Sequence, residues 1–145
     1  MSLLEATASK EQWRLAFDDR SPIYRQIILR FNQAFVRGDI TPGERIPSIR
    51  EIAALLKVNT NTMQRVYQEM ERDGLINSKR GTGYFFTEEL EMIEKTRRSL
   101  ASGSQHRFLE EMRALGYAEK EILKELELFI KEGVKHGNDV NNAGS

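Results

Sequence analysis

The sequence predicts a mainly α-helical protein with a small β-hairpin that lies between a group of short helices and a helical tail. Three observations predict this fold class. Apolar residues recur at the three- and four-residue spacing of a helix in several segments. Ser, Asn, Pro and Gly stand where those segments begin and end. Two short β-prone runs flank the basic, glycine-bearing segment 79–82, which is typical of a hairpin.

Composition indicates an ordinary folded domain with an appendage. The chain of 145 residues is 39% hydrophobic and 30% charged, and it has no cysteine, which excludes disulfides and cysteine-based zinc sites. His106 and His136 lie far apart, so no metal site and no cofactor are expected. No apolar run reaches the roughly 18 residues of a membrane span, and residues 1–12 lack the pattern of a signal peptide. We therefore expect a cytoplasmic protein without membrane association.

The net charge is zero, but the charges are not evenly distributed. Residues 37–87 carry eight Lys/Arg against six Asp/Glu, whereas residues 88–136 carry nine against eleven. A zero net charge argues against a nucleic-acid partner, and a mild positive excess in the first part of the chain favours one only weakly. The motifs along the chain therefore have to decide the function.

Residues 1–12 lack periodicity, which predicts disorder, and the alternation of Trp13, Leu15 and Phe17 predicts a short strand over residues 13–17.

The first helix is predicted over residues 22–37. Pro22 suits the first turn of a helix, where its missing N–H group costs nothing, and Ser21 suits the N-cap. Gly38 is a natural terminator. An apolar residue recurs at every fourth position and forms the face that we expect to be buried: Ile23, Ile27, Phe31 and Phe35.

A helix-turn-helix is predicted next, after a structured loop over residues 39–47. The capping-box spacing that begins at Ser48 predicts a short helix over residues 48–56. After a three-residue turn, a longer helix runs from its N-cap Asn59 to its terminator Gly74. Its core-facing stripe consists of Met63, Val66, Tyr67 and Met70, and we expect Tyr67 to be a core residue.

Helices, turn and basic hairpin follow one another in the order of a winged helix-turn-helix, which we expect over residues 13–87. In that fold the second helix of the pair enters the major groove of DNA. Side chains able to read bases there are Asn61, Gln64 and Arg65. Groups suited to phosphates near helix N-termini are Ser48, Arg50, Thr60 and Thr62. The hairpin tip, expected against the DNA backbone or in the minor groove, presents Lys79, Arg80 and Gly81.

A helical tail is predicted over residues 88–134, with helices over about 88–101, 105–115 and 118–132. Residues 135–145 are polar and rich in Asn and Gly, which predicts disorder. The tail has more apolar groups than short helices bury alone, so we expect it to pair with a second copy of the chain. The groups expected at that dimer interface are Phe108, Met112, Leu115, Ile122, Leu126, Phe129 and Ile130. The alternative is that this apolar face folds back on the winged domain.

Residues 13–87 resemble the DNA-binding domain of the GntR family of bacterial transcription regulators. The segments that carry the resemblance are 21–27, 38–53, 58–71 and 74–83. It implies a dimeric repressor or activator that binds an inverted repeat, with DNA contacts at Arg50, Thr60, Asn61, Thr62, Gln64 and Gly81. The chain departs from many members of that family, which carry arginine at positions 60 and 64.

The tail narrows the resemblance to one subfamily. Only 58 residues follow Thr87, too few for the large effector domains of many GntR proteins. Segments 108–112, 115–117 and 121–123 resemble the short dimerisation tail of the YtrA-like subfamily.

The sequence therefore predicts a sequence-specific transcription regulator, a dimeric repressor acting on an inverted-repeat operator in double-stranded DNA. The alternative is a helical protein-interaction module that uses the winged domain to bind protein, but its polar outward face lacks the apolar anchors of protein interfaces. An enzyme is not expected, because the chain has no Gly-rich phosphate loop and no Ser-His-acid set. A small-molecule effector is not visible in the sequence, and a pocket between the tail helices is the place where one would bind.

Overall fold

The computed structural model describes the backbone of residues 20–143 and the side chains of residues 20–133. The disorder predicted over residues 1–12 and the strand predicted over residues 13–17 lie outside the described residues. The described chain forms five helices and one three-stranded antiparallel sheet. This confirms the predicted mainly helical fold with a small β element. The chain divides into two compact units, with the boundary between Ser99 and Leu100.

Helix α1 (Ile23–Arg37) is the predicted first helix, although its start differs in detail. Pro22 occupies the N-cap, and Ser21 offers its carbonyl oxygen to the side-chain amide of Gln26 at 2.7 Å, so Ser21 is not the N-cap. Gly38 ends the helix with a φ of +90°, a left-handed conformation that glycine adopts without strain. The buried face consists of Ile27, Phe31, Ala34 and Phe35.

The helix-turn-helix consists of α2 (Ile49–Leu56) and α3 (Thr60–Arg72), as predicted. Ser48 forms the capping box: its hydroxyl oxygen accepts a hydrogen bond from the Glu51 N–H at 3.1 Å, and the Glu51 carboxylate accepts one from the Ser48 N–H at 3.2 Å. Local sequence signals therefore determine where this short helix begins.

The sheet contains one strand that the sequence did not predict. It consists of β1 (Arg45–Ile46), β2 (Ile76–Lys79) and β3 (Gly83–Phe86) in the order β1-β3-β2. Strands β2 and β3 form the predicted hairpin, but β1 lies in the segment that we expected to be a loop. A strand of two residues is too short to show alternation in the sequence, and only its pairing with β3 defines it.

The core of the first unit is built around aromatic side chains. Phe35 stacks on Phe86 with ring centroids 4.2 Å apart. Phe31 and Tyr67 pack edge to face, with their ring centroids 6.1 Å apart. Tyr67 is fully buried, and its hydroxyl donates a hydrogen bond to the Pro47 carbonyl oxygen at 2.7 Å. Burial raises the pKa of the Tyr67 phenol well above its ordinary value. The prediction that Tyr67 is a core residue is confirmed.

We expect Tyr67→Phe to lower the free energy of unfolding by about 1–3 kcal/mol, because the ring stays while the buried Pro47 carbonyl loses its donor. Folding raises the pKa of this phenol, so its contribution is complete below the unfolded-state pKa near 10.0 and is lost as the pH rises above it. The variant should therefore lose less stability than the wild type above about pH 10. Urea unfolding of both proteins at neutral pH and above pH 10 measures both effects. If the wild type and the variant have the same free energy of unfolding at both pH values, the hydroxyl contributes nothing to stability.

Helix α4 (Leu90–Ala114) corrects the prediction of two separate helices over residues 88–101 and 105–115. Gly103 lies inside the helix, since a single glycine costs only about 1 kcal/mol relative to alanine and no proline interrupts the segment. The first turns of α4 belong to the first unit, where Ile93 is buried in the core and Arg97 donates a hydrogen bond to the Val36 carbonyl oxygen at 2.6 Å. The first compact unit therefore includes the first turns of α4.

Helix α5 (Glu119–Ala143) begins where the sequence predicts but ends later. The predicted end at Gly133 is wrong, because the helical backbone continues to Ala143 and takes in most of the segment predicted to be disordered. Asn and Gly lower helix propensity, but without a proline they do not prevent a helix from continuing.

Candidate nucleic-acid interface

Helix α3 presents a polar face to solvent. Because its core stripe faces inward, the exposed side chains of its first half are Thr60, Asn61, Gln64 and Arg65, while Thr62 is half-buried. The side-chain oxygen of Asn59 caps the helix and accepts a hydrogen bond from the Asn61 N–H at 2.8 Å. The N–H groups of the first turn have no acceptors inside a helix, so those of Thr60 and Thr62 suit an anion such as a phosphate.

Ser48 and Arg50 lie at the start of α2, and the structure gives them different roles. The hydroxyl oxygen of Ser48 already accepts the capping hydrogen bond, so only its proton remains to donate to another group. Arg50 is exposed, and within the described part of the chain it forms no ion pair. Arg50 therefore offers its whole guanidinium to a phosphate or a base, whereas Ser48 offers a single hydroxyl proton.

The hairpin tip is a tight turn whose backbone requires glycine. The N–H and hydroxyl groups of Thr82 both donate hydrogen bonds to the Lys79 carbonyl oxygen at 3.0 Å. Gly81 has a φ of +77°, although a Cβ atom there would meet nothing within 4 Å. The Lys79 ammonium lies 4.6 Å from the centroid of the Phe85 ring, and Arg80 is exposed. The tip thus presents the adjacent cations Lys79 and Arg80, followed by a glycine without a side chain.

Arg65 does not extend beside Asn61 and Gln64. Its guanidinium lies over the ring of Tyr24 in α1, with its Cζ atom 3.7 Å from the ring centroid, and it donates a hydrogen bond to the Tyr24 hydroxyl oxygen at 3.1 Å. Its Nε atom is also 3.6 Å from a carboxylate oxygen of Glu69. The structure therefore separates Arg65 from the other two predicted base-reading side chains.

Tyr24 is a site residue that the sequence analysis did not identify. The Arg25 guanidinium donates a second hydrogen bond to the Tyr24 hydroxyl oxygen at 3.0 Å, and this bond, with the charge interaction between the two groups, raises the pKa of Arg25. Forty-one positions separate Tyr24 from Arg65, so no local pattern connects them. Only the packing of α1 against α3 brings the three side chains together.

The predicted dimer-forming residues lie in the second unit, and the structure divides them into two groups. Ile122 is 3% exposed, so it packs inside the single chain. Leu115, Phe129 and Ile130 are 72%, 70% and 65% exposed. An apolar cavity of about 220 Å³ is lined by Phe108, Met112, Glu125, Leu126 and Phe129. Helix α5 also exposes two leucines that the sequence did not predict at this surface, Leu123 and Leu128.

Neither a metal site nor a membrane span is found among the residues that the structure describes. No group of three or more His, Cys, Asp or Glu side chains there could hold a metal ion. None of the helices in that part of the chain is both long and apolar enough to cross a membrane.

Comparison with known proteins identifies the family. The profile of bacterial regulatory proteins of the gntR family matches residues 23–86. The transcriptional regulator YhcF of Bacillus subtilis is 37% identical over 117 residues, which are 81% of this chain and 97% of the relative. The chain belongs to the GntR family. The transcriptional repressor YtrA of Bacillus subtilis is 31% identical over 134 residues, which cover 84% of this GntR protein and 98% of YtrA.

A solved structure agrees with these relatives. A GntR-family transcriptional regulator from Listeria monocytogenes is 36% identical, with a TM-score of 0.73 over 77% of this chain and 97% of its own. The matched residues 23–86 include every element from α1 to β3. The chain is thus a helix-turn-helix transcriptional regulator of the GntR family, and the family and its named members are regulators and not enzymes.

Proposed function

We propose that this GntR-family regulator is a repressor that binds a specific operator in double-stranded DNA. The observation that carries the proposal is the exposed polar face of α3, where Asn61 and Gln64 lie in the first two turns of the helix. An α-helix fits the major groove, and amide side chains pair with the edge of adenine through two hydrogen bonds. We assign base reading to these two residues.

The groups around α3 are assigned to the DNA backbone. Arg50 is an exposed cation without an ion pair in the described part of the chain, and a guanidinium binds a phosphate through two parallel hydrogen bonds. The first turn of α3 supplies the N–H groups of Thr60 and Thr62, and Ser48 supplies a hydroxyl proton. The wing tip approaches the backbone or the minor groove through Lys79, Arg80 and Gly81.

We infer that the chain acts as a homodimer, with a DNA-binding domain over residues 13–87 and a dimerisation tail over residues 88–134. The exposed apolar side chains of Leu115, Phe129 and Ile130 support this, because such a surface is stabilised by contact with a second copy. A two-fold dimer matches an inverted-repeat operator. A small-molecule effector bound between the tail helices would act by changing the distance between the two recognition helices.

Repression and a cytoplasmic location complete the proposal. The relative YtrA is named a repressor, and it is matched over 98% of its length, which supports the same activity here. We infer a cytoplasmic location because a bacterial transcription regulator works on the chromosome.

We expect Arg50→Ala to weaken binding to the operator by about 1–3 kcal/mol, because a phosphate or base contact is lost. Fluorescence anisotropy on the DNA upstream of the chain's own gene and on a scrambled duplex, across a range of salt concentrations, measures the change. Arg98→Ala is the matched control, since Arg98 is an exposed arginine of α4 outside the proposed interface.

Three outcomes would contradict the proposal. Equal affinity of the wild type for both duplexes would leave only non-specific charge attraction. No binding to either duplex at low salt would exclude a DNA-binding function and favour a protein partner. An Arg50→Ala variant that binds like Arg98→Ala would remove Arg50 from the interface.

A further inference from the structure

We propose that Tyr24, Arg25 and Arg65 form a binding site for a phosphate of the DNA backbone beside the recognition helix α3. The proposal rests on the DNA binding proposed above and gives Arg65 a different role from base reading. It also adds α1 to the elements that contact DNA. We name these three side chains the tyrosine–arginine cluster.

Three donor groups meet at the Tyr24 hydroxyl, namely its own proton and the guanidinium groups of Arg25 and Arg65. Its hydroxyl oxygen accepts from the Arg25 Nε–H at 3.0 Å and from the Arg65 Nη2–H at 3.1 Å. A phenol oxygen accepts up to two hydrogen bonds and donates one, so its proton remains to donate. Among the described residues no acceptor is found for that proton. A phenol proton and two guanidinium groups thus converge, and an anion with several acceptor oxygens satisfies all three.

The charge of the tyrosine–arginine cluster suits a single phosphodiester. Arg25 and Arg65 carry two positive charges, and the Glu69 carboxylate, 3.6 Å from the Nε atom of Arg65, offsets one of them. The remaining charge of +1 matches the single negative charge of one phosphodiester group. The Arg65 side chain is 58% exposed, so its outer N–H groups are accessible to DNA.

The Arg65 side chain is already ordered by its contact with Tyr24 before DNA binds. Its guanidinium lies 3.7 Å from the centroid of the Tyr24 ring, well inside the about 6 Å range of cation–π attraction. A guanidinium that is already stacked loses less freedom when it binds a phosphate, because its planar fork is held in place. The same stacking directs Arg65 toward α1 and away from the base edges that Asn61 and Gln64 face.

The cluster lies on a different side of α3 from the wing. Glu71 of α3 accepts a hydrogen bond from the Ser78 hydroxyl of β2, whereas Arg65 contacts α1. At about 100° per residue, positions 65 and 71 point roughly 120° apart around the helix axis. When a recognition helix lies in the major groove, the elements on its two sides lie along the two phosphate backbones. Backbone phosphate, and not a base, is therefore the group that the cluster meets.

The experiment measures the salt dependence of binding to the upstream DNA and to the scrambled duplex for the wild type and for variants of the full chain. We expect Arg25→Gln and Arg65→Gln each to weaken binding to both duplexes by the same factor, about tenfold, and to reduce the slope of log K against log salt by about 1. Arg98→Gln removes an equal charge outside the cluster and should leave the slope unchanged.

Two conservative variants separate a phosphate site from a structural role. Arg65→Lys keeps the charge but loses the planar fork, so its salt slope should stay near the wild-type value while its affinity falls. Tyr24→Phe keeps the ring under Arg65 and should weaken binding to both duplexes severalfold through the lost hydroxyl proton. Thermal unfolding of each variant, expected close to that of the wild type, confirms that the fold is intact.

Unchanged slopes and affinities in Arg25→Gln and Arg65→Gln, with normal wild-type binding, would overturn this proposal alone. A selective loss of affinity for the upstream DNA in Arg65→Gln would return Arg65 to base reading and would also overturn it. Failure of the wild type to bind either duplex would overturn the proposed function itself, so the two failures are distinguishable.

Discussion

Phe129→Asp is expected to convert the proposed dimer to a monomer and to weaken operator binding by a factor of about 10²–10⁴. Phe129 is 70% exposed in the single chain and borders the apolar cavity of the second unit. If a second copy covers this surface, the substitution places a carboxylate in an apolar interface, which costs several kcal/mol without a partner charge. The affinity falls because each DNA-binding domain then engages its half-site independently. Light scattering coupled to size-exclusion chromatography gives the mass, and anisotropy gives the affinity.

Lys124→Asp is the matched control for this substitution. Lys124 is an exposed residue of the same helix α5 and lies on the face opposite the apolar stripe, so the variant should stay dimeric and bind DNA normally. A wild type that is monomeric at every concentration would contradict the dimer and favour a tail folded back on the winged domain. A Phe129→Asp variant that stays dimeric would show that the subunits meet through another surface.

Phe31→Ala should lower the free energy of unfolding by about 3–5 kcal/mol, the cost of removing a buried phenylalanine and leaving a cavity. Phe31 is completely buried, and its ring contacts Phe35 at a centroid distance of 5.9 Å and Tyr67 at 6.1 Å. A domain is stable by only about 5–15 kcal/mol, so this loss removes a large share of the total free energy of unfolding and should lower the melting temperature. Phe31 packs against Tyr67 of the recognition helix α3. Operator binding should therefore fall in proportion to the fraction of protein that is unfolded. Urea unfolding monitored by circular dichroism measures the effect.

Leu29→Ala provides the comparison within the same helix. Leu29 is 45% exposed, so its truncation should change the free energy of unfolding by no more than about 0.5 kcal/mol. Similar losses in the two variants would mean that Phe31 does not organise the core. A Phe31→Ala protein that is folded but cannot bind DNA would show that the ring positions α3 rather than stabilising the unit.

The elements between Ser21 and Thr87 could be predicted closely because their signals are local. The capping box at Ser48 and the left-handed Gly38 mark helix ends through bonds between residues a few positions apart. The apolar periods of α1 and α3 identify buried faces for the same reason. In the tail, the run around Gly103 was mistaken for a break, since composition lowers helix propensity without deciding where a helix ends.

The helical period of α3 predicts which of its side chains are exposed. It does not predict which residues those side chains contact. Arg65 was grouped with Asn61 and Gln64 because all three face outward, whereas the structure pairs Arg65 with Tyr24. In the tail, Ile122 and Phe129 belong to one apolar stripe, yet the first is buried and the second is exposed. Such differences depend on which element packs on each face.

By itself, the sequence determined the fold class, the helix-turn-helix with its hairpin, the family and the polar outward face of α3. Each of these depends on residue type and short-range spacing, which a chain carries before it folds. Only the tertiary structure decided the pairing of β1 with β3 and the stacking of Arg65 on Tyr24. It also decided which apolar residues of the tail are buried and which are exposed. These contacts join residues that are far apart in the chain or on different elements, and packing alone brings them within reach.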